Sequence, residues 1–246
     1  SGDVDKSDIY SGGVETTSLR CVLRAASLQC WNLGCTDVST AFLNAPLNLP
    51  YAIIVEAPRI ASDVGVTDPG ELWLIKRAFY GLRESPKAWG DHRDATLRVI
   101  RIWSWGMPYR LRQLATDTSV WILESMPTDF FKQTNKKSFL PVLVRGLIRD
   151  FLGPRVDGIL ITYVDDILVA SKTYLVVATV SKIRTIWTCS TGEFTHKGES
   201  PVFCALRITK TKRGGYFLDQ SAYVVDLLDR HGYTGTKGTK VPFVPV

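Results

Sequence analysis

A chain of 246 residues with 45% hydrophobic content can bury one or two compact cores, and its seven tryptophans and ten phenylalanines argue against disorder. A net charge of +6 and a pI near 9.1 suit a polyanionic partner without identifying one. The five cysteines form no CxxC and have no histidine at ligand spacing, which argues against zinc, and their odd number points to reduced, intracellular thiols. No apolar run approaches the roughly 18 residues of a membrane span, so the chain is read as soluble, without a membrane partner.

Residues 1–13 are polar and rich in glycine, and Ser1-Gly-Asp-Val reads as the interior of something longer. Thr16, Thr17 and Ser18 then open an amphipathic helix carrying Leu19, Val22, Leu23, Ala26 and Trp31. Residues 33–38 read as a strand that ends on an acidic residue. Ser39–Leu43 is a tight turn or short helix, closed by Asn44-Ala-Pro46. Strands are expected at Tyr51–Glu56 and Leu72–Lys76, with a loop over 60–70 between them. Ser85-Pro86 reads as an N-cap followed by proline, starting a helix that runs to Ile100 with Trp89, His92 and Leu97 in its pattern.

Between 101 and 157 the pattern yields one strand near Ser119–Leu123 and a basic loop at Lys132–Lys137. Residues 159–164 and 167–170 form a hairpin, Tyr174–Cys189 a helix, and Phe203–Ile208 a strand paired with Gly215–Leu218. Ala222–Arg230 is a last helix, stopped by Gly232. The central elements therefore run β-α-β-β-α-β, the split-βαβ or ferredoxin-like order of an α+β fold. In that arrangement the first strand lies beside the hairpin.

Asp165 and Asp166 interrupt the most apolar stretch of the chain, Gly158-Ile-Leu-Ile-Thr-Tyr-Val-Asp-Asp-Ile-Leu-Val-Ala170. Buried carboxylates are costly unless something pairs with them. Adjacent aspartates between runs of β-formers are commonly there to hold a cation, although a solvated hairpin turn also tolerates them. Sheet neighbours would bring Asp37 to the pair. Three carboxylates at one sheet edge suit two divalent ions, which together clamp an in-line displacement at phosphorus. No convincing Ser/His/Asp or Cys/His set stands among the three histidines.

Five segments carry a resemblance. Asp37-Val-Ser-Thr-Ala-Phe42-Leu-Asn, Phe79-Tyr80-Gly-Leu-Arg-Glu-Ser-Pro86-Lys-Ala-Trp89 and Tyr163-Val-Asp-Asp166 resemble, in order, three motifs of Ty1/copia-type retrotransposon reverse transcriptases. Phe203-Cys-Ala-Leu-Arg-Ile208 and Leu218-Asp-Gln-Ser-Ala-Tyr223 are similar to the two segments that follow them in that family. The match covers 14–232, weakly between 101 and 157.

The resemblance implies a polymerase palm over 33–208, with inserted regions at about 45–80 and 101–157. Residues 1–32 would be a residual fingers segment with a leading helix, and 209–246 a connection to a thumb. It implies RNA-directed DNA polymerase activity with two Mg²⁺, for which Mn²⁺ can substitute, and an RNA or DNA template with primer and dNTPs as partners. The remaining Pol polyprotein segments would be further partners, and the setting a cytoplasmic virus-like particle or the nucleus.

Asp37, Asp165 and Asp166 would be the catalytic metal ligands, joined by the Val38 carbonyl. Phe42 would lie beneath the incoming sugar and exclude a 2′-hydroxyl, with Tyr80 and Gly81 near the nucleotide. Tyr163, Val164, Phe203 and Arg207 would meet the primer and template. His196 and Lys197 are candidate proton donors for pyrophosphate, whereas Pro86 and Trp89 would be packing residues. Lys76, Arg77, Arg83, Lys87, Lys136, Lys137, Lys210, Lys212 and Arg213 are candidate phosphate contacts.

Several positions depart from the family. Its early fingers region has no counterpart, Glu84 stands where the family has Gln, and Cys204-Ala205 replaces Leu-Gly. Three alternatives stay open. One is an inactive remnant that folds or binds nucleic acid, another a different two-metal palm enzyme such as a nucleotide cyclase, and the last an ordinary acidic turn.

Overall fold

The computed structural model describes residues 13–126 and 156–236. The Lys132–Lys137 loop, Lys136 and Lys137 with it, lies outside the described residues, as do residues 1–12 and 237–246.

The strand pattern builds one seven-stranded sheet. Its members are β1 (Asn32–Asp37), β4 (Ile102–Ser104), β5 (Met107–Gln113), β6 (Val120–Ser125), β7 (Val156–Tyr163), β8 (Asp166–Ser171) and β9 (Glu193–Phe194). They lie in the order β4-β5-β6-β7-β8-β1-β9, every neighbouring pair antiparallel. β2 (Ile54–Glu56) and β3 (Leu72–Leu74) pair separately, as do β10 (Val202–Phe203), β11 (Leu206–Lys210) and β12 (Tyr216–Asp219). The helices are α1 (Thr16–Leu28), α2 (Ala41–Asn44), α3 (Arg59–Asp63), α4 (Ser85–Val99), α5 (Thr173–Arg184) and α6 (Ser221–Arg230).

Both faces of the sheet are covered, which is why its central strands read as near-continuous apolar runs rather than alternating ones. Along β8, Ile167 and Val169 join Trp89, Leu97, Leu175 and Val180 in the core under α4 and α5. Leu168 and Ala170 face the other way, toward Leu19, Val22 and Leu23 of α1 and toward Phe203 and Ile208 of the small sheet. The period of two along one strand thus feeds two separate cores.

Several expectations need correction. The strand that flanks β1 on its free side is β9, a two-residue piece paired through Gly34↔Phe194 and Cys35↔Glu193, whereas 203–208 belongs to the small sheet. Residues 102–125, expected mostly as an inserted region, supply three strands of the main sheet. The strand expected near Ser119–Leu123 is β6, while β5 was hidden by interleaved Arg110 and Arg112; buried Glu124 of β6 is answered by both arginines.

Ser85 is not the N-cap of α4. Its hydroxyl donates to the Phe79 carbonyl at 2.6 Å and accepts from the Phe79 amide at 2.8 Å, and Glu84 occupies the cap position. Helix α5 stops at Arg184 rather than Cys189 because 188–190 must run beside the end of β1: the Ser39 amide bonds the Thr188 carbonyl at 2.9 Å. Residues 59–63 form the short helix α3 in what was read as a loop. The last helix matches its expected range within one residue, and none of its side chains is buried.

Gly34 fixes the distance between β1 and α5. A Cβ there would come within 2.5 Å of Val176 Cγ1 and 3.0 Å of the Phe194 ring. Both neighbours are buried and stiff, so Gly34→Ala is expected to destabilise the fold by about 1–3 kcal/mol, read as a lowered urea midpoint at unchanged m-value.

Candidate functional site

The acidic pair sits on the turn between β7 and β8. Tyr163 is paired with Asp166, which leaves Val164 and Asp165 as a two-residue turn. Val164 has φ of +49°, the pattern of a type II′ turn, at the position that ordinarily takes glycine. A β-branched residue held there carries strain of about 1–3 kcal/mol. The turn is gripped from two sides. The Val164 carbonyl accepts from the Trp89 indole N–H at 2.7 Å and from Arg93 Nη1 at 3.3 Å. On the other side the Asp165 carbonyl accepts from the Val38 amide at 3.0 Å.

Pairing of β1 with β8 sets Asp37 directly opposite Asp166. Ser190 brackets Asp37: its hydroxyl accepts from the Asp37 amide at 3.0 Å, and its own amide donates to the Asp37 carbonyl at 2.9 Å. Asp166 Oδ2 accepts from the Cys204 amide at 3.0 Å. Cys204 and Ala205, at φ of +51° and +60°, form the two-residue turn of the β10–β11 hairpin, so this small sheet reaches the acidic site through its backbone. Two positive φ values in succession are the mark of a type I′ turn.

Burial raises the carboxyl of Asp166, the Cys204 amide pulls it partly back, and the charges of Asp165 and Asp37 push it further, to about 6. Asp37 is raised as well, first by burial and then by Asp165. No ion pair reaches any of the three carboxylates among the described residues. Asp37, Asp165 and Asp166 are the residues that would hold a hard divalent cation, which would relieve mutual repulsion left unanswered among the described residues. Among the described residues, however, no three His, Cys, Asp or Glu side chains stand close enough together to hold a metal ion.

The other expected site residues divide. Val38 is buried and ties the end of β1 to the acidic turn. Phe42, on α2, meets Tyr80 edge-to-face with ring centroids 4.8 Å apart, and Gly81 follows at φ of +93°. Tyr163 is half exposed, and the backbone of Gly13 passes so close that a Cβ there would lie 2.6 Å from its ring. Phe203 is fully buried, a core residue rather than a surface for a primer, because its strand turns it inward under α1. Arg207 is exposed opposite Asp219.

His196 and Lys197 lie in a one-turn helix beyond β9. The Thr195 hydroxyl beside them accepts from the Leu33 amide, near the opposite end of β1 from Asp37. Four residues of strand, about 13 Å, separate Leu33 from Asp37, so neither side chain is at hand for chemistry at the carboxylates. Lys197 instead sits 4.8 Å over the Phe194 ring.

Three of the expected phosphate contacts are engaged within the chain. Arg77 caps the Leu43 and Asn44 carbonyls, Lys87 pairs with Asp91, and Lys210 bonds the Trp31 carbonyl and Asn32. A cavity of about 720 Å³ between residues 46–51 and α4 is lined by Leu47, Tyr51, Arg83, Lys87 and His92, among others, and by none of the expected catalytic residues.

Arg93, Ser190 and the Cys204 amide belong to the site and were not anticipated. Arg93 carried a signal: it follows Ser85 and Trp89 at helical spacing of four, a charge on the stripe that Leu97 continues into the core. Ser190 acts through its hydroxyl and amide and Cys204 through its amide, on a neighbour that only the fold supplies.

Over 243 residues, 98% of the chain, the sequence is 23% identical to the retrovirus-related Pol polyprotein from transposon RE1 of Arabidopsis thaliana. It is 22% identical over 243 residues to the corresponding polyprotein from transposon RE2 of the same plant. A stretch of 64 residues, 26% of the chain and 20% of its counterpart, is 36% identical to a transposon Ty5-1 protein of Saccharomyces cerevisiae. The chain spans 13% of the length of either plant polyprotein. No family profile and no solved structure matches it. These similarities support a region of a retrotransposon Pol polyprotein.

The raised carboxyl of Asp166 has a pH signature. Its stabilising protonation is complete below the ordinary carboxylate value of 3.8 and is lost as pH rises through about 6. In metal-free buffer, Asp166→Asn should therefore be more stable than the parent above pH 6, by about 1 kcal/mol once water at the partly exposed group is discounted. The difference should close below pH 4, and thermal melts across that range would show it. At the adjoining hairpin, Ala205→Gly should raise stability by about 0.5–1 kcal/mol by removing a left-handed alanine. An unchanged or lower melting temperature would contradict that.

Proposed function

We propose that the chain is the palm-centred part of a copia-like reverse transcriptase, an RNA-directed DNA polymerase that transfers a nucleotide from a dNTP to a primer 3′-hydroxyl. The observation that carries this proposal is the meeting of Asp37, Asp165 and Asp166 on adjoining strand ends, without a cationic partner among the described residues and with two carboxyls raised. Little in core packing asks for three carboxylates there. Similarity along nearly the whole chain to transposon Pol polyproteins supports the same proposal.

On this view β1, α4, β7, β8, α5 and β9 are the β-α-β-β-α-β unit of a ferredoxin-like palm. Bound Mg²⁺, or Mn²⁺ in its place, would activate the primer hydroxyl and neutralise the departing pyrophosphate. The chain itself supplies position. Asp37, Asp165 and Asp166 hold negative charge at the reacting centre, and the bonds made by the Ser190 hydroxyl and amide and by the Val38 and Cys204 amides keep the strand ends in register. The Phe42 ring, braced by Tyr80, forms the floor on which a deoxyribose would rest and a 2′-hydroxyl would clash. Tyr163 and Arg207 present exposed groups to a template-primer.

A second proposal, a folded remnant that no longer polymerises, draws on the lack, among the described residues, of three such side chains close enough together to hold a metal ion. Primer extension on an RNA template with Mg²⁺ or Mn²⁺ and dNTPs separates the two. Template-dependent extension that falls at least about a hundredfold in Asp165→Asn is expected, the scale for losing a group worth several kcal/mol of charge stabilisation. Retained template-primer binding without extension would favour the remnant.

A further inference from the structure

Helix α4 reaches the acidic turn with two polar groups that neither a core helix nor a substrate contact requires. Trp89 has no exposed surface and Arg93 only 2%. Both aim a donor at the carbonyl of Val164, the strained residue immediately before Asp165. The guanidinium uses Nε and Nη2 on Asp94, at 3.0 and 2.9 Å, which leaves Nη1 for the turn. Asp94 in turn accepts from Gln113 Nε2 at 2.7 Å, and the same nitrogen reaches the Thr118 carbonyl at 2.6 Å. A continuous run of polar contacts therefore links β5, α4 and the acidic turn.

We infer that Trp89 and Arg93 are positioning residues that hold Val164 in its left-handed conformation and thereby fix where Asp165 and Asp166 face Asp37. This rests on the proposed metal-dependent chemistry for its purpose, though not for its geometry. A valine at this φ relaxes toward extended backbone unless the carbonyl behind it is pinned. Once it relaxes, the carboxylates that follow swing with the peptide. Trp89 supplies the shorter bond. Arg93 adds a charge-assisted one, and its own charge is matched by Asp94 rather than by the catalytic carboxylates. The indole ring is independently anchored by edge-to-face contact with Trp187 at 5.3 Å, so the N–H donor can be deleted while the packing body stays.

The test is a cycle of Trp89→Phe, Val164→Gly and the double variant, in the full chain. Phenylalanine keeps a ring and removes the N–H. Glycine adopts positive φ without strain and has no need of a clamp. Two readouts serve: hydrogen–deuterium exchange of the backbone over 163–166 in metal-free protein, and Mn²⁺ affinity by electron paramagnetic resonance.

Trp89→Phe is expected to speed exchange at the turn about tenfold and to weaken Mn²⁺ binding by a similar factor. Val164→Gly in that background should restore both toward the parent. Unchanged exchange in folded Trp89→Phe, or a loss that glycine does not repair, would overturn the inference and leave Trp89 a packing residue. Should Trp89→Phe fail to fold, recovery of folding in the double variant supports the clamp, and failure of both overturns it. A parent chain that binds no Mn²⁺ would sink the metal reading, while exchange at the turn still decides the clamp.

Discussion

The pairing of β1 with β8 is the constraint on which the rest depends. Its register sets Asp37 opposite Asp166 at the end of two strands whose middle residues are buried and mostly apolar. Since side chains alternate faces along a strand, a slip of one residue would turn Asp37 into the opposite layer and bury its charge in a core. Gly34 protects that register by letting α5 lie close, and Ser190 closes the end of β1 with bonds in both directions.

Two features that look like defects gain a common explanation around this constraint. Val164 and Ala205 both sit at positive φ without being glycine; the first lies in the hairpin that carries Asp165 and Asp166, the second in the hairpin whose Cys204 amide bonds the Asp166 carboxylate. Strain of this kind persists only where surrounding contacts over-determine it. At Val164 those contacts come from Trp89, Arg93 and the backbone of Val38. At Cys204-Ala205 they come from the Asp166 carboxylate and from burial of Phe203 on one side and Ile208 on the other. Backbone amides and carbonyls do most of the positioning.

Electrostatics points the same way. A folded chain usually surrounds a cluster of carboxylates with Lys or Arg, yet Arg93, which reaches the acidic turn, is matched by Asp94, and Arg77 by the end of α2. Among the described residues no cation compensates the charge at the strand ends, and two carboxyls are raised, first by burial and then by their neighbours' charge. An arrangement that costs stability and is not repaired by neighbours within reach is characteristic of a site rather than of a scaffold.

Much of this was legible in the sequence. The helices at 16–28, 85–99 and 221–230, the strand ending at Asp37 and the hairpin around Asp165-Asp166 follow from local periodicity and from punctuation by Gly and Pro. The sequence alone brought the three aspartates together, because chain order constrains which strands become neighbours. Tertiary structure decided the rest. β9 is two residues long and exists only because β1 offers it an edge, so no pattern announced it. Strands β4 to β6 carry buried Glu124 and two arginines, and only their mutual pairing makes those charges admissible in a sheet. Trp89 read as packing and Phe203 as a primer contact, yet it is Trp89 that grips the turn and Phe203 that fills the core. Whether a side chain bonds or merely packs depends on the atom that another segment places opposite it, and that is fixed by the fold rather than by neighbours in sequence.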